Sequence, residues 1–354
     1  MKSFISVILL MIFYSPVTAQ DVSRTIGVPQ FHCDTLGYLF QGVPTSMYAI
    51  NLATGDDTLL QQNLIPSPPN QQLNAFGYNR TDNFIWGYRL HTTDLVRIAA
   101  NFSITIFSIP GLPEASFNVG DISEDGILYL TTTHNTTVFR VDLNPNSATY
   151  LQMLSPLIID STNFFDWSFS PIDGNIYAID SADNSIFRFD SNTGTRTWIG
   201  IATGDGIDTV GRFGASYMDT DGNFYLSANM GGKIFKISAP HTGNTNAVLV
   251  AQGPASLNND GALCSGALFN SVSPVNDSNH FSIYSEAGSN IIHYDFTDAK
   301  QRTLFVYDVL GKKIFEWKIN NRSGEINFSL IPKAVYFYVM KSNNQIECKG
   351  KFIP

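Results

Sequence analysis

Side chains that carry oxygen atoms recur where several short strands are expected to begin, and together they could hold a metal ion or a polar ligand. They are Asn74, Asn118, Asp121, Asp166, Asn259 and Asp260, and Trp167 stands beside one of them. Ca²⁺ takes six to eight oxygen ligands from carboxylates, amides, backbone carbonyls and water. Asp166 and Asp260 are therefore candidate calcium ligands. The alternative is that both accept hydrogen bonds from backbone amides, as Asp often does in turns.

The elements that position these side chains are marked by a repeat of fixed spacing. Asp125-Gly126, Asp173-Gly174 and Asp221-Gly222 follow one another at intervals of 48 residues, and each precedes an aromatic strand. The dipeptide Asp-Gly is typical of tight turns between strands. A period of this length, built from short strands, predicts stacked sheet units, most often the blades of a propeller.

Five copies of one strand can be counted along the chain. Their central residues are Tyr48, Val96, Phe139, Phe187 and Phe235. A further strand precedes each copy from the second onward, and a matching segment, NNDGALC (258–264), follows the last copy. This order predicts an all-β, five-bladed propeller over residues 31–266, in which the last strand completes the first sheet, with six blades as the alternative. Since first strands line the channel of a propeller, the polar side chains above are expected to share one face of it.

The cysteines are consistent with this closure. Cys33 opens the first predicted strand and Cys264 ends the last one, so strand exchange makes their strands neighbours. An exported protein meets an oxidising environment, where paired cysteines persist. We predict a Cys33–Cys264 disulfide, which closes a loop of about 230 residues and contributes roughly 5 kcal/mol in the entropic account. Two unrelated buried thiols are the alternative, and Cys348 is left over.

The N-terminus and the charge of the chain indicate export. Residues 1–19 combine Lys2, a short apolar run and small residues near the cleavage position, which is typical of a signal peptide. The run is too short for a transmembrane anchor, which needs about 20 apolar residues. The net charge is −9, and the acidic residues are concentrated before residue 273. This charge argues against nucleic acid and anionic membranes as partners.

The repeat stops near residue 273, and a different set of alternating strands follows. Its motifs are LFVYDVLGKKIFE (304–316), AVYFYVMKSNN (334–344) and KGKF (349–352). They predict a small antiparallel sandwich over residues 273–354 with a turn at Gly311-Lys312. This segment resembles the type A C-terminal sorting domain of the type IX secretion system, with small departures at 273–276 and 333–334. The resemblance implies that the secretion machinery binds residues 273–354, exports the protein to the outer cell surface and removes this domain.

The repeat region also resembles known groups of proteins. DWSFSPIDGNIYAI (166–179) and NNDGALC (258–264) are similar to an uncharacterised propeller-like family of secreted and surface proteins of bacteria, over residues 31–266. That family has no established activity. The first segment also resembles calcium-dependent propeller lactonases, although Phe213-Gly214-Ala215 stands where those enzymes carry an acidic ligand.

The sequence favours a non-enzymatic binding or adhesion module, with a carbohydrate or a protein as its ligand. It contains no G-x-S-x-G, C-x-x-C, Walker-type or H-E-x-x-H motif. The second hypothesis is a calcium-dependent hydrolase that acts on a lactone or a sugar-derived substrate, and a scaffold role is the third. Calcium is the one cofactor that these hypotheses involve.

Overall fold

A computed structural model describes residues 28–65, 71–160, 163–267, 281–285, 291–296, 300–308, 311–328, 332, 336–342 and 345–352. The predicted signal peptide at residues 1–19 and the segments 273–276 and 333–334 lie outside these residues. Regular structure in the described ranges is almost entirely β-strand, with two short 3₁₀ turns at Ile207–Thr209 and Pro240–Thr242. No helix there has the length and apolar character to cross a bilayer.

Between Leu36 and Ala262, the described residues form twenty strands. They are β1 (Leu36–Gln41), β2 (Ser46–Asn51), β3 (Asp57–Gln61), β4 (Leu73–Asn79), β5 (Phe84–Arg89), β6 (Asp94–Ile98), β7 (Ile104–Ser108), β8 (Val119–Ile122), β9 (Ile127–Thr131), β10 (Thr137–Asp142), β11 (Met153–Ile158), β12 (Trp167–Phe169), β13 (Ile176–Ile179), β14 (Ser185–Phe189), β15 (Arg196–Ile201), β16 (Phe213–Met218), β17 (Phe224–Ala228), β18 (Lys233–Ile237), β19 (Ala247–Gln252) and β20 (Asn259–Ala262).

These strands form four-stranded antiparallel sheets, none of which closes on itself within the described residues. Their orders are β20-β1-β2-β3, β4-β5-β6-β7, β8-β9-β10-β11, β12-β13-β14-β15 and β16-β17-β18-β19. The five copies of the repeated strand are β2, β6, β10, β14 and β18, as the spacing predicts. The fold is therefore all-β and propeller-like.

The repeated Asp-Gly dipeptides lie in the turns between the first and second strands of three sheets. Gly126, Gly174 and Gly222 have φ values of 86°, 68° and 72°. Glycine reaches this left-handed region without the strain that a Cβ atom brings, which explains its place in each copy. In one turn the carboxylate of Asp173 accepts a hydrogen bond from the hydroxyl of Tyr177 at 2.8 Å. The same residues that form the turn therefore also fix the aromatic strand behind it.

Burial decreases from the first strand of each sheet to the last. The inner strands β4 and β16 are buried at every position, whereas the outer strand β3 has exposed and half-buried residues only. Apolar side chains pack between neighbouring sheets, as in the stacked pair Phe40 and Phe76, whose ring centroids are 3.6 Å apart. Burial of a phenylalanine side chain stabilises the fold by about 1.5–3 kcal/mol. The core thus lies between the sheets and towards their inner strands.

The last strand of the repeat region pairs with the first. In the antiparallel pairing of β20 with β1, Asp260 stands opposite Phe40. β20 also contacts the inner strands β16 and β4 of the adjacent sheets. Cys33 and Cys264 form a disulfide bond with their Cα atoms 5.3 Å apart, which confirms the predicted pair. The two ends of the repeat region are therefore joined by a strand pairing and by a covalent bond.

Seven more strands follow in the described residues after Ala262. They are β21 (Phe281–Ser285), β22 (Ile291–Phe296), β23 (Arg302–Tyr307), β24 (Lys313–Ile319), β25 (Ser323–Asn327), β26 (Tyr336–Ser342) and β27 (Gln345–Phe352). They form two antiparallel sheets, β21-β22-β25 and β24-β23-β26-β27, which share an apolar core that includes Leu304, Ile326 and Met340. The predicted turn is present, because the N–H of Asp308 donates to the carbonyl of Lys312 at 3.0 Å.

Candidate functional site

The starts of inner strands β4 and β20 border a small depression with free space of about 10 Å³, enough for about one water molecule. We call it the amide depression. It is lined by Phe40, Gln41, Gly42, Thr45, Gln72, Leu73, Asn74, Asn258, Asn259 and Asp260. Three of the predicted site residues, Asn74, Asn259 and Asp260, meet here. Nε2 of Gln41 donates to Oδ1 of Asn259 at 2.8 Å and to the carbonyl of Pro254 at 3.0 Å. Gln41 therefore holds the segment before β20 against the end of β1.

Asn118 precedes β8 and does not line the amide depression. Its Nδ2 donates to Oγ1 of Thr133 at 2.9 Å, and its Oδ1 accepts from the N–H of Thr133 at 3.1 Å. These two bonds fix the loop between β9 and β10. The side chain of Asn118 thus holds this loop in place.

Asp260 is 1% exposed and bonds to the backbone of the neighbouring inner strand. Its Oδ2 accepts from the N–H of Ala75, and from the N–H of Phe76 at 3.3 Å. The pairing of β4 with β5 is irregular between Asn74 and Gly77. A β-bulge of this kind leaves backbone N–H groups without a partner in the ladder. The carboxylate of Asp260 satisfies the donors that the bulge leaves free.

Asp121 and Asp166 make the same kind of contact to the next inner strand. Oδ2 of Asp121 accepts from the N–H of Phe169 in β12 at 2.8 Å. Oδ2 of Asp166, which precedes β12, accepts from the N–H of Ser216 in β16 at 2.7 Å. Each bond satisfies a buried backbone N–H group that would otherwise cost about 1–3 kcal/mol. Acids therefore connect three neighbouring pairs of sheets through their inner strands.

Burial raises the pKa of all three acids. Loss of hydration raises the pKa of Asp121 to about 7, against the opposite effect of the N–H groups of Phe169 and Ile122. Burial also raises the pKa of Asp166 well above 3.8, and repulsion from Asp260 adds to this. The pKa of Asp260 is raised chiefly by burial, with a smaller contribution from Asp121. Low polarity and mutual repulsion both favour the neutral carboxyl form here.

Asp166 and strand β16 carry three buried polar atoms that have no hydrogen-bond partner in the described part of the chain. They are Oδ1 of Asp166, Oγ of Ser216 and the hydroxyl of Tyr217. Ser216 and Tyr217 also border a second small depression at the far ends of the inner strands, with free space of about 10 Å³, and we call it the axial depression. Its lining is Tyr78, Asp121, Ile122, Ser168, Phe169, Ser216, Tyr217, Met218, Ala262, Leu263 and Ser265. Buried polar groups are normally satisfied by protein or water, so these atoms can bond a water molecule or a small polar ligand.

The calcium hypothesis concerns Asp166 and Asp260. Each of the two carboxylates accepts a hydrogen bond from the backbone of a neighbouring strand. Within the described ranges, no three His, Cys, Asp or Glu side chains are grouped so that they could hold a metal ion. A calcium ion here would need hydroxyl, carbonyl and water oxygens to complete its ligands. Calcium binding by these two residues stays a prediction.

Trp167 is a candidate site residue because it stands next to Asp166 in the sequence. It is 1% exposed and lines neither depression. Its ring stacks on Phe164 at a centroid distance of 5.5 Å, within an apolar core cluster. Its position is that of a core residue between sheets.

Sequence reasoning missed Gln41, Gln72 and Tyr217, which line the two depressions. Gln41 lies at the end of β1, whereas the predicted site residues were sought at the starts of inner strands. Gln41 stands opposite Asn259 in the pairing of β1 with β20. The sequence does not specify which residues of β1 and β20 stand opposite each other, so it could not place Gln41 in the site.

Several solved structures are similar to this chain. A catalytically inactive virginiamycin B lyase from Staphylococcus aureus, solved with quinupristin, is 11% identical with a TM-score of 0.37, over 92% of this chain and 97% of that chain. PorZ, a surface component of the type IX secretion system of Porphyromonas gingivalis, is 12% identical with a TM-score of 0.35, over 89% of this chain and 50% of PorZ. A protein of unknown function from Bacteroides caccae is 10% identical with a TM-score of 0.37, over 80% and 94%. These TM-scores lie below 0.5 and carry no functional inference.

No curated protein matches the chain. Residues 280–353 match the secretion system C-terminal sorting domain, which confirms the predicted type IX sorting domain. This domain indicates a protein that is secreted and located at the cell surface.

Residues 36–266 match the family described as a repeat of unknown function. This range contains all of β1–β20 and Cys264, and it agrees with the resemblance to an uncharacterised family of repeats. The chain belongs to the DUF6923 family, whose repeat occupies residues 36–266.

Proposed function

We propose that the five four-stranded sheets of the repeat region close into a five-bladed propeller. β20 supplies the strand that completes the sheet of β1, and it contacts both β16 and β4. The Cys33–Cys264 bond ties the same two ends together. Such a closure removes the unpaired strand edge that an open array of sheets would leave.

We further propose that this propeller is a non-enzymatic binding or adhesion module of the cell surface, delivered by the type IX machinery that binds residues 273–354. The main support is the set of hydrogen bonds that the three buried acids of the inner strands make. A calcium-dependent hydrolase at this site would need acids that hold the metal ion or exchange a proton with the substrate. Asp121, Asp166 and Asp260 instead accept hydrogen bonds from the backbone of neighbouring strands. That is a structural use of all three carboxylates.

The proposed binding surface is the end of the propeller that carries the amide depression, including Asn74 and Asn259, with Asn118 on the same end. Loops at this end present Val43, Met230 and Leu257, which are 48%, 76% and 77% exposed. Exposed apolar side chains rimmed by polar groups often mark interaction sites. The lining of the amide depression contains no lysine or arginine, so a carbohydrate or protein ligand fits it better than a nucleic acid.

A calcium-dependent hydrolase of lactones or sugar-derived substrates is the second candidate. The unpartnered Oδ1 of Asp166 and the hydroxyl of Tyr217 favour it, because they leave polar atoms available for a metal ion or a substrate. Asp166→Asn should abolish turnover in that case.

The full secreted protein would be tested on glycan and protein arrays and, in parallel, for hydrolysis of a lactone panel in the presence of Ca²⁺. We expect binding without turnover. Turnover that disappears in Asp166→Asn would replace the proposal with the hydrolase. Delivery is tested separately, since deletion of residues 273–354 should retain the protein inside the cell envelope.

A further inference from the structure

The sheet β24-β23-β26-β27 buries one face and leaves the other in solvent. Leu304 and Val306 belong to the apolar core that this sheet shares with β21-β22-β25. Because side chains alternate along a strand, Phe305 and Tyr307 lie on the opposite face. Both are half-buried, and Phe337 of the neighbouring strand is 45% exposed. We call this face of β23, β24 and β26 the outer face.

The centre of the outer face is aromatic and apolar. In the pairing of β23 with β26, Phe305 stands opposite Val339, and Tyr307 stands opposite Phe337. Residues directly opposite each other in an antiparallel pair share a face, with their Cβ atoms about 5 Å apart. These four side chains therefore form one patch. Aromatic residues are enriched in protein interfaces, where a few of them often carry most of the binding energy.

Lysine side chains surround this patch. The ammonium groups of Lys313 and Lys341 lie 5.5 Å and 5.7 Å from the ring centre of Phe305, one from each neighbouring strand. Lys318 of β24 lies on the same face. Among the described residues paired on this face, the one acid is Glu316, which forms an ion pair with Lys313 at 2.6 Å. The net charge of the outer face is therefore positive.

The register of the edge strand continues this pattern. Lys349 and Lys351 of β27 stand opposite Val339 and Phe337. Two more lysine positions thus border the apolar patch. A partner with carboxylates around an apolar centre would match both the charge and the polarity of such a face.

We propose that the outer face is the surface through which the type IX machinery recognises this chain, and that it docks on an acidic protein surface with an apolar centre. This inference deepens the delivery proposed above and rests on it. The lysines steer and orient the acidic partner, and the aromatic patch supplies the buried contact. An anionic membrane would also attract the lysines, but it would repel the acidic repeat region of the same chain.

The test follows export of the full chain in the bacterium that produces it. Phe337→Ser removes the exposed part of the patch, and Lys318→Glu/Lys341→Glu reverses the charge around it. Each variant should lower the secreted fraction about tenfold or more, because each removes an anchor of the interface. The full-length chain should then accumulate inside the cell envelope. Lys318→Arg/Lys341→Arg keeps the charge and should be exported like the unaltered chain.

Two control variants match these changes. Trp317 is also 45% exposed but stands opposite Leu304, on the other face of the sheet, so Trp317→Ser is the apolar control. Lys233→Glu/Lys236→Glu makes the same charge change in β18 of the repeat region. Both controls should be exported normally. The purified full-length Phe337→Ser chain should melt at the temperature of the unaltered protein, which separates lost recognition from lost folding.

The chemistry of the partner is tested by a photoreactive benzoylphenylalanine in place of Phe337. In living cells it should crosslink to a protein, at a segment rich in Asp and Glu. The crosslink should disappear when Lys318→Glu/Lys341→Glu is added. A crosslink to lipid or polysaccharide alone would overturn the protein assignment, and lost export in the arginine variant would contradict the role of charge.

Normal export of both Phe337→Ser and Lys318→Glu/Lys341→Glu would refute the outer face as the recognition surface. Retention of a chain that lacks residues 273–354 would in that case leave the delivery proposal intact. Export of the chain without those residues would refute both proposals.

Discussion

The carboxylate of Asp166 accepts a hydrogen bond from the backbone N–H of Ser216 at 2.7 Å, across a separation of 50 residues. The first residue precedes the inner strand of one sheet, and the second lies in the inner strand of the next. Asp121 repeats this relationship with Phe169 at 2.8 Å, 48 residues away. A residue type that suggested metal chemistry in the sequence thus joins neighbouring units of the repeat.

Replacement of Asp166 should separate the loss of the acceptor from the loss of the charge. Asp166→Ala leaves the buried N–H of Ser216 without a partner and should lower the free energy of unfolding by about 1–3 kcal/mol. Asp166→Asn keeps an acceptor oxygen and cannot take the ionised form, which burial and Asp260 disfavour, so it should match or exceed the unaltered protein near pH 8. Urea unfolding at that pH measures both. No loss of stability in Asp166→Ala would contradict a structural role of the carboxylate, and equal losses in both variants would contradict the role assigned to its acceptor oxygen.

Thermal stability should fall as the pH rises towards neutrality. Burial raises the pKa of Asp82 and of Asp121 from 3.8 to about 7. Between these values the folded protein holds protons that the unfolded chain has lost, so stability is greatest below about pH 4 for these groups and declines up to about pH 7. We expect a higher melting temperature near pH 5 than near pH 8, measured by calorimetry.

The variants Asp121→Asn and Asp173→Asn test this assignment. The first should flatten the pH profile, because it removes one of the groups that titrate in this range. The hydrogen bonds from Asn175 and Tyr177 outweigh burial and lower the pKa of Asp173 from its usual value, away from the neutral range. Asp173→Asn should therefore leave the slope between about pH 5 and 8 unchanged. A steeper decline in Asp121→Asn would contradict the prediction.

Loss of the Cys33–Cys264 bond should destabilise the repeat region strongly. The bond spans 231 residues, and the entropic account gives roughly 5 kcal/mol as an upper value. The double variant Cys33→Ser/Cys264→Ser should unfold at a lower urea concentration than the oxidised protein. Cys348→Ser is the control and should keep the bond. Peptide mapping by mass spectrometry that found the two thiols free in secreted protein would refute the pairing.

A methyl group at Gly120 should force two inner strands apart. An added Cβ would lie 2.7 Å from the Cβ of Ala75 and 2.8 Å from its Cα. Gly120→Ala is expected to cost about 1–3 kcal/mol, the usual range for overpacking. Gly211→Ala is the control, because nothing lies within 4 Å of its Cβ position, and it should stay within about 0.5 kcal/mol. Similar stability of both variants would mean that β4 and β8 are not tightly packed.

Removal of calcium tests the metal hypothesis for Asp166 and Asp260. Both carboxylates are engaged by backbone amides, so a chelator should leave the melting temperature unchanged. Stoichiometric Ca²⁺ in elemental analysis of the secreted protein, together with a chelator-induced fall that Asp166→Asn abolishes, would show a metal site. Asp173→Asn serves as the matched acid control.

The repeat spacing of the sequence predicts the inner three strands of each unit, but not the fourth. Inner and middle strands carry dense apolar runs such as those around Phe76 and Tyr217, since both of their faces are covered. Outer strands such as β3 and β7 have at most one well-covered face, and their burial patterns show no fully buried residue. Packing therefore constrains the side chains of these strands less, and the sequence shows no repeated pattern in them.

The positions of the polar residues were harder to predict than the strands. Alternation along a regular strand assigns each side chain to a face. The bulge between Asn74 and Gly77 interrupts that alternation, and the backbone of Ala75 then bonds Asp260. The sequence predicted one polar face, whereas Asn74 and Asp121 line depressions at opposite ends of the inner strands.

The bond between Cys33 and Cys264 has a mechanical consequence for a protein at the cell surface. Pulling on the chain before residue 33 and after residue 264 loads this bond directly, because it joins the two points where the repeat region begins and ends. The residues between them lie outside the path of the force. Force that enters through these two chain ends would thus stretch only the segments beyond the cysteines, and the sheets would stay intact under such tension until the sulfur link is reduced.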